Sequence, residues 1–234
     1  IFHNLKYMKK IILSIIILFS FNFKAIGHVE HYTNFNYLEY ELFRNDNSIG
    51  YHKYDFIREK NKLLIKSEVS FKITKLGVDL YKYFAESEEV YKNSKFYAFS
   101  SKTNQNKKQK WVNINLDEQK NILKIEGYKK KLTAPIDYVI GTWWNHEIVK
   151  SKAQISAISG RIIDQDVTFL GKETIKIGNK SFKTLHFNFK SSDTTLPDNK
   201  KLNTDIWYEE KSYLWVKAAF TKQGKWEYRL KNYN

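Results

Sequence analysis

The sequence predicts an all-β protein, an antiparallel meander rolled into a strongly curved sheet or barrel. Three observations carry this. Apolar and polar residues alternate with period two along most of the chain. Short clusters of Asn, Asp, Gly, Ser and Lys separate these runs at hairpin spacing. Aromatic residues make up 16% of the 234 positions, while glycine (9) and proline (2) are scarce. Rings fit a pleated, half-buried surface, so this composition favours strands. The length suits one sandwich- or barrel-sized domain, and a hydrophobic fraction of 42% supplies a core.

The alternation is clearest in the middle and at the end of the chain. Leu63, Ile65, Val69, Phe71 and Ile73 fall on one side of a strand, and Lys66, Glu68, Ser70, Lys72 and Thr74 on the other. Leu185, Phe187 and Phe189 alternate with His186, Asn188 and Lys190. Leu214, Val216, Ala218 and Phe220 repeat the pattern, and Trp226, Tyr228 and Leu230 close the chain. One apolar and one polar face is what an antiparallel sheet with a wet side requires. Turn signals at 45–48, 60–62, 92–94, 104–108, 117–120, 178–180 and 222–225 divide the chain into roughly a dozen strands. The pattern breaks between Ala134 and Ser159. Pro135 suits a first helical turn, so residues 135–149 are expected as one short helix or an ordered loop. The polar, turn-rich segment Ser191–Lys201 is expected as an exposed loop.

The N-terminal residues follow a different rule. Met8 is followed by Lys9 and Lys10, an apolar run from Ile11 to Phe23, and then Ala25-Ile26-Gly27. Basic start, apolar middle and small residues at the −3 and −1 positions describe a secretory signal peptide, cleaved after Gly27. The apolar run is shorter than the roughly 17–25 residues of a spanning helix. The expectation is therefore upstream residues 1–7, a signal helix over 8–27, a single β domain over 28–234, and a periplasmic location with no transmembrane span after cleavage. The chain has no cysteine. That excludes lipid attachment at the cleavage junction and disulfide support, leaving the core to stabilise the domain alone.

The formal net charge is +15. Removing Lys6, Lys9, Lys10 and Lys24 with the signal segment leaves 36 basic and 25 acidic residues, or +11. Such a balance suits anionic partners such as lipid headgroups, phosphorylated glycans or nucleic acid. With only four arginines (Arg44, Arg58, Arg161, Arg229) and lysines that alternate with glutamates along strands instead of forming a block, a lysine-rich solvated surface is the favoured reading. An anionic envelope component is kept as a candidate partner, and nucleic acid is not expected.

Motifs that carry catalysis are missing. There is no Gly-x-Ser-x-Gly elbow, no phosphate-cradling glycine loop, and no thiol for nucleophilic or zinc chemistry. Glu86, Glu88 and Glu89 fall on a strand on which Glu86 and Glu88 share a face, and without a pocket partner they read as solvated. A mature terminus His28-Val29-Glu30-His31 offers an amine and two imidazoles, a Cu(II)-like set, but a frayed end provides no supporting shell. No enzyme activity, metal or cofactor is expected. The remaining candidates are aromatic. Trp143 and Trp144 sit beside the break in the pattern, where adjacent side chains diverge and one ring can face a cleft. Asp205-Ile206-Trp207-Tyr208 and Leu214-Trp215-Val216 form an aromatic hairpin that core packing explains without a ligand. The candidate ligand-binding residues are Trp143, Trp144, Asn145, Trp207 and Tyr208.

Several segments in order carry a resemblance: Tyr40-Glu41-Leu42-Phe43-Arg44-Asn45 with Ile49-Gly50-Tyr51-His52, Phe71–Gly77 with Tyr81-Lys82-Tyr83, Trp143-Trp144-Asn145, Asp205-Ile206-Trp207-Tyr208, and Glu227-Tyr228-Arg229-Leu230. Over nearly all of residues 35–230 the chain resembles a family of exported bacterial all-β proteins known only as a domain of unknown function. Many members have Tyr-Trp-Asn-Pro where this chain has Trp143-Trp144-Asn145-His146. The resemblance implies a curved sheet or barrel in the periplasm, broadly similar to lipid- or lipoprotein-carrying folds, and brings no catalytic residues. The expected function is binding of a hydrophobic ligand, a lipid or similar, in a barrel or half-barrel. The alternative is a structural or interaction protein of the envelope without a small-molecule ligand. A membrane-spanning barrel is disfavoured, because both faces of strands such as Tyr81–Tyr91 carry Lys or Glu.

Overall fold

The structure, a computed structural model, describes residues 32–234. The signal segment expected at 8–27 and the histidines at 28 and 31 lie outside the described residues. The strands are β1 (Tyr37–Arg44), β2 (Asn47–Glu59), β3 (Lys62–Lys75), β4 (Val78–Lys92), β5 (Lys95–Gln105), β6 (Lys108–Asp117), β7 (Ile122–Gly127) and β8 (Lys131–Pro135). They continue as β9 (Val139–Ile140), β10 (Ala153–Ile155), β11 (Ile162–Ile177), β12 (Lys180–Ser191), β13 (Asn203–Glu209), β14 (Trp215–Thr221) and β15 (Lys225–Tyr233).

All fifteen belong to one sheet, in the order β8 to β1, then β15 down to β9. Every pairing is antiparallel except β9 with β10. The expected curved meander is therefore what forms, and connectivity dictates the curvature. Laid flat, the edge strands β8 and β9 would lie about 65 Å apart. Only residues 136–138 join them, a link that reaches about 14 Å at full extension. The sheet has to coil round until its two edges approach. The three additional strands beyond the expected dozen are mainly short pieces, such as β9 and β10, too brief to show an alternation. Within 135–149 the helix is a single 3-10 turn, His146–Val149, capped by the Asn145 side chain, which accepts from the Glu147 amide. The rest of that segment is ordered turn apart from Pro135, which ends β8, and the two residues of β9. Residues 192–201 form the exposed loop as expected.

The turns follow strand chemistry. Asn45-Asp46, Leu76-Gly77, Asn93-Ser94 and Asn106-Lys107 are two-residue turns with both residues at positive φ, the geometry whose twist matches paired strands. The inward faces of β3 and β4 set Ile65, Ser67, Val69 and Phe71 opposite Glu89, Ser87, Ala85 and Tyr83. Two apolar clusters fill much of the interior. The larger gathers Tyr32, Tyr40, Tyr54, Trp144, Tyr208 and Trp215 with their aliphatic neighbours. The smaller centres on Phe99, Ile114, Leu123, Ile125 and Ile155. At Gly50 the coiled strands touch: a Cβ there would stand 2.0 Å from the Ser70 carbonyl oxygen, so this position requires glycine for close backbone approach.

Candidate functional site

The inner wall of β3, β4 and β5 carries a row of small residues. Ser67 is opposite Ser87, and Ser87 is opposite Ser101. One rung away, Val69, Ala85 and Thr103 line up in the same manner. Small side chains at neighbouring positions leave space, and a cavity of about 280 Å³ lies against them. Tyr228, Phe220 and Trp143 also line it, together with Gly141, Thr142 and Gln154.

The segment Gly141–Asn145 enters the barrel as a plug. Trp143 has φ +64, a left-handed conformation unfavourable for a bulky side chain. Two tyrosines of the wall hold this turn: the Tyr54 hydroxyl donates to the Thr142 carbonyl, and the Tyr208 hydroxyl donates to the Trp143 carbonyl at 2.8 Å. The Trp143 ring meets Trp215 and Tyr228 edge-on, each at 5.5 Å. Strained turns of this kind persist where the surroundings over-determine them, as in ligand clamps. Behind the plug, Gln154 Nε2 donates to Gln165 Oε1 at 2.7 Å. Gln165 Nε2 in turn donates to the Ile148 and Ser151 carbonyls, so buried amides fix the segment from the far side.

Beneath the cavity is a buried carboxyl. Glu89 is 2% exposed. Trp144 Nε1 donates to its Oε2 at 2.9 Å and the Tyr91 hydroxyl to its Oε1 at 2.6 Å. Thr142 Oγ1 is 3.4 Å from Oε2, and Asn145 Nδ2 donates to the Tyr91 oxygen at 3.2 Å. Among the described residues no cation pairs with Glu89, and burial pushes its pKa up. Every partner is neutral, so this network orients the plug and does not neutralise charge.

His52 stands in the cavity wall. Its Nε2 is 2.9 Å from Ser67 Oγ, and it lies between Tyr40 and Tyr54. Among the described residues no hydrogen-bond partner reaches His52 Nδ1, and none reaches Trp143 Nε1. Burial pushes the His52 imidazole down to about 3, so the ring is neutral at ordinary pH. An unfolded histidine titrates near 6.5. Between pH 6.5 and about 3 the unfolded chain binds a proton that the native ring refuses, and stability falls with acidification by up to about 1.4 kcal/mol per pH unit from this group. Above pH 6.5 the contribution is complete. Urea unfolding of His52→Gln across pH 7 to 4.5 is expected to show a shallower acid slope than the parent. An identical slope would mean that the ring protonates freely in the native state.

Residues 40–231 match the family described as DUF6134, a domain of unknown function. The chain belongs to the DUF6134 family. The same fold occurs in a solved structure, the β-barrel-like protein of domain of unknown function DUF1849 from Brucella abortus. The similarity covers 85% of this chain and 96% of that one, with a TM-score of 0.59 and 10% sequence identity. At that identity the likeness is one of architecture. No curated protein matches.

On this DUF6134 fold the candidate residues separate. Trp143 lines the cavity. Trp144 is fully buried below it, and Asn145 caps the 3-10 turn. Tyr208 is fully buried, its hydroxyl pinning the plug. Trp207, its neighbour on β13, points to the opposite face of the sheet, as alternation requires. There it stacks on His186 at 4.2 Å and donates from Nε1 to Glu173 at 2.6 Å. His186 is flanked by Glu173 at Nδ1 (3.0 Å) and Asp205 at Nε2 (3.1 Å). Both ring nitrogens thus face carboxylates, and neither is turned toward a hydroxyl nucleophile, so this outer cluster lacks the arrangement of a catalytic triad. Glu89 corrects the reading of Glu86, Glu88 and Glu89 as solvated: the first two are outward and exposed, whereas Glu89 points in. Among the described residues, no group of three or more His, Asp or Glu side chains is placed to hold a metal.

Proposed function

We infer that this DUF6134 protein is an exported, periplasmic, non-enzymatic binding module whose barrel interior takes a small, uncharged, mainly apolar ligand with one polar end. The carrying observation is the cavity between the small-residue row of β3–β5 and the Trp143 plug, into whose lining two buried ring nitrogens without protein partners are built. Charged ligands fit poorly. Burial holds His52 neutral, Glu86 at the margin belongs to the exposed outer row, and a bare charge in such a site is costly to desolvate. Hydroxyls of Ser67, Ser87, Ser101 and Thr103 suit a carbonyl, ether or hydroxyl end. At about 280 Å³ the cavity is just below the ~300–1,000 Å³ typical of small-molecule sites. It accommodates a compact molecule or one apolar arm, which narrows the broader expectation of a lipid. Export is supported by the Lys9-Lys10, Ile11–Phe23 and Ala25–Gly27 pattern.

The test uses N-phenyl-1-naphthylamine, an uncharged fluorescent probe of fitting size. The protein is expected to take it up, and Ser87→Leu, which fills the cavity from the wall, is expected to abolish uptake while retaining the parent circular dichroism spectrum. Equal uptake by parent and Ser87→Leu, or none by the parent, refutes the cavity reading. Separately, periplasmic protein is expected to begin at His28. An unprocessed Met8–Gly27 segment on protein confined to the cytoplasm refutes export.

A further inference from the structure

The hairpin of β3 and β4 outruns its neighbours. Pairing with β2 ends at Phe71, opposite Gly50, and pairing with β5 begins at Tyr83, opposite Gln105. Among the described residues, 72–82 form a ladder with each other alone. The base is braced: the Lys82 amide donates to Asn106 Oδ1 at 2.7 Å, and the Asn106 amide donates to the Lys82 carbonyl at 2.9 Å. On the inner side Phe71 stacks on Tyr83 at 4.8 Å and Tyr81 at 5.9 Å, and Trp226 meets it edge-on. The hairpin is thus a stiff projection at the barrel end that also carries the β1–β2 and β5–β6 turns.

Its tip departs from the turn chemistry used elsewhere in the molecule. The two-residue turns at 45–46, 93–94 and 106–107 all place asparagine first, at positive φ. Asparagine tolerates that conformation. The β3–β4 turn places Leu76 there, at φ +50 and 94% exposed. Val78, Leu80 and Phe84 are also exposed. A leucine at this position favours neither the turn nor solvation. Just behind the tip, Lys72 and Lys82 are directly opposite each other on the outer face, where like charges repel. Lys75 adds a third positive charge, and Asp79, the acid of this hairpin, is already engaged by Thr74 and Lys82. Leu80, Phe84, Lys72, Lys82 and Lys107 border an outer groove of about 850 Å³.

We propose that the β3–β4 hairpin docks this protein on an anionic bilayer, Leu76, Val78 and Leu80 entering the interface while Lys72, Lys75, Lys82 and Lys107 lie against lipid phosphates. Apolar side chains ahead of a collar of lysines match the order of layers met on entering a membrane, in which a charged headgroup zone overlies hydrocarbon. The lysines select this occupant over a second copy of the chain, whose own tip carries the same charge. The inference is independent of the cavity, since Ser87→Leu leaves the tip untouched.

The experiment is cosedimentation of the protein, purified as its host produces it, with vesicles of phosphatidylglycerol and phosphatidylethanolamine, and with phosphatidylcholine alone. Binding is expected on the anionic vesicles and not on the neutral ones. Leu76→Asp is expected to weaken it by about tenfold or more, from the lost burial of one leucine. Lys72→Glu with Lys82→Glu should weaken it as well, and high salt should remove most of the difference between those two proteins. Leu170→Ser, at an exposed leucine on β11, should have no effect. No binding by the parent protein, or binding insensitive to Leu76→Asp, overturns the proposal. So does a concentration-dependent dimer that Leu76→Asp dissolves, which would assign the tip to a second copy.

Discussion

Trp144→Ala is expected to destabilise the protein by about 3–5 kcal/mol, with a fall in Tm on the order of 10 °C for a domain of this size. The ring is completely buried and touches three others: Tyr32 at 5.4 Å, Phe56 at 5.5 Å and Tyr91 at 5.8 Å, all edge-on. Removing it opens a void among rigid rings that have little freedom to close it, and it takes from Glu89 the Nε1 donor at 2.9 Å. Trp144→Phe keeps most of the volume and loses the donor, so its cost is expected to fall between the parent and the alanine variant. Urea unfolding measures both. Near-ultraviolet circular dichroism should lose much of its aromatic signal in Trp144→Ala. An alanine variant within about 1 kcal/mol of the parent would mean that the plug contributes little to the fold, contrary to the usual cost of a buried tryptophan.

Glu89→Ala is the second large effect. Its carboxyl accepts from Trp144 and Tyr91, and each buried donor deprived of its acceptor costs about 1–3 kcal/mol. A loss of about 3 kcal/mol or more is expected. Glu89→Gln retains one acceptor oxygen and should cost much less. The two variants also separate packing from titration. Burial raises the Glu89 pKa, so above the ordinary carboxylate range the native state still holds a proton that the unfolded chain has released. Stability from this group is therefore greatest at low pH and declines as pH rises through the raised value. The parent should gain on Glu89→Gln as pH is lowered from 8 toward 5, a trend opposite in sign to that of His52. A double-mutant cycle between Glu89→Gln and Trp144→Phe should show coupling, because the two residues share one hydrogen bond.

Where alternation carries information, the sequence was legible. Leu63, Ile65, Val69 and Phe71 read directly as an inner face, and Asn-containing clusters marked the hairpin turns. The same parity contains the position of Glu89: it shares a face with Ser87 and Tyr91, opposite to Glu86 and Glu88. Glu86 and Glu88 read as sharing a face, but nothing in the sequence marks the other face, where Glu89 falls, as the interior. His52 likewise shares parity with Tyr54, a buried ring. The plug was not legible beyond being a break in the pattern. Trp143 and Trp144 diverge as expected of adjacent side chains, but the left-handed backbone at Trp143 and the tyrosine hydroxyls that fix it come from strands far away in the chain. The cavity is hardest to see, because small side chains on three different strands create it, and their alignment depends on register. Trp207 and Tyr208 are both candidates in sequence, whereas a strand sends such neighbours to opposite faces.

The first and last strands of the described residues lie side by side in the middle of the sheet, with β1 hydrogen-bonded to β15. A growing polypeptide can zip β1 through β8 hairpin by hairpin, yet its first strand keeps one side bare until the final nine residues of β15 have been made. Assembly is consequently gated by synthesis of β15, and the β1–β15 pairing, which joins residues roughly 200 positions apart, is among the last to form, a topology associated with slow folding. A product that stops short of β15 would expose the hydrogen-bonding groups of β1 to any passing strand, making loss of β15 far more damaging than loss of an equal length from the 192–201 loop.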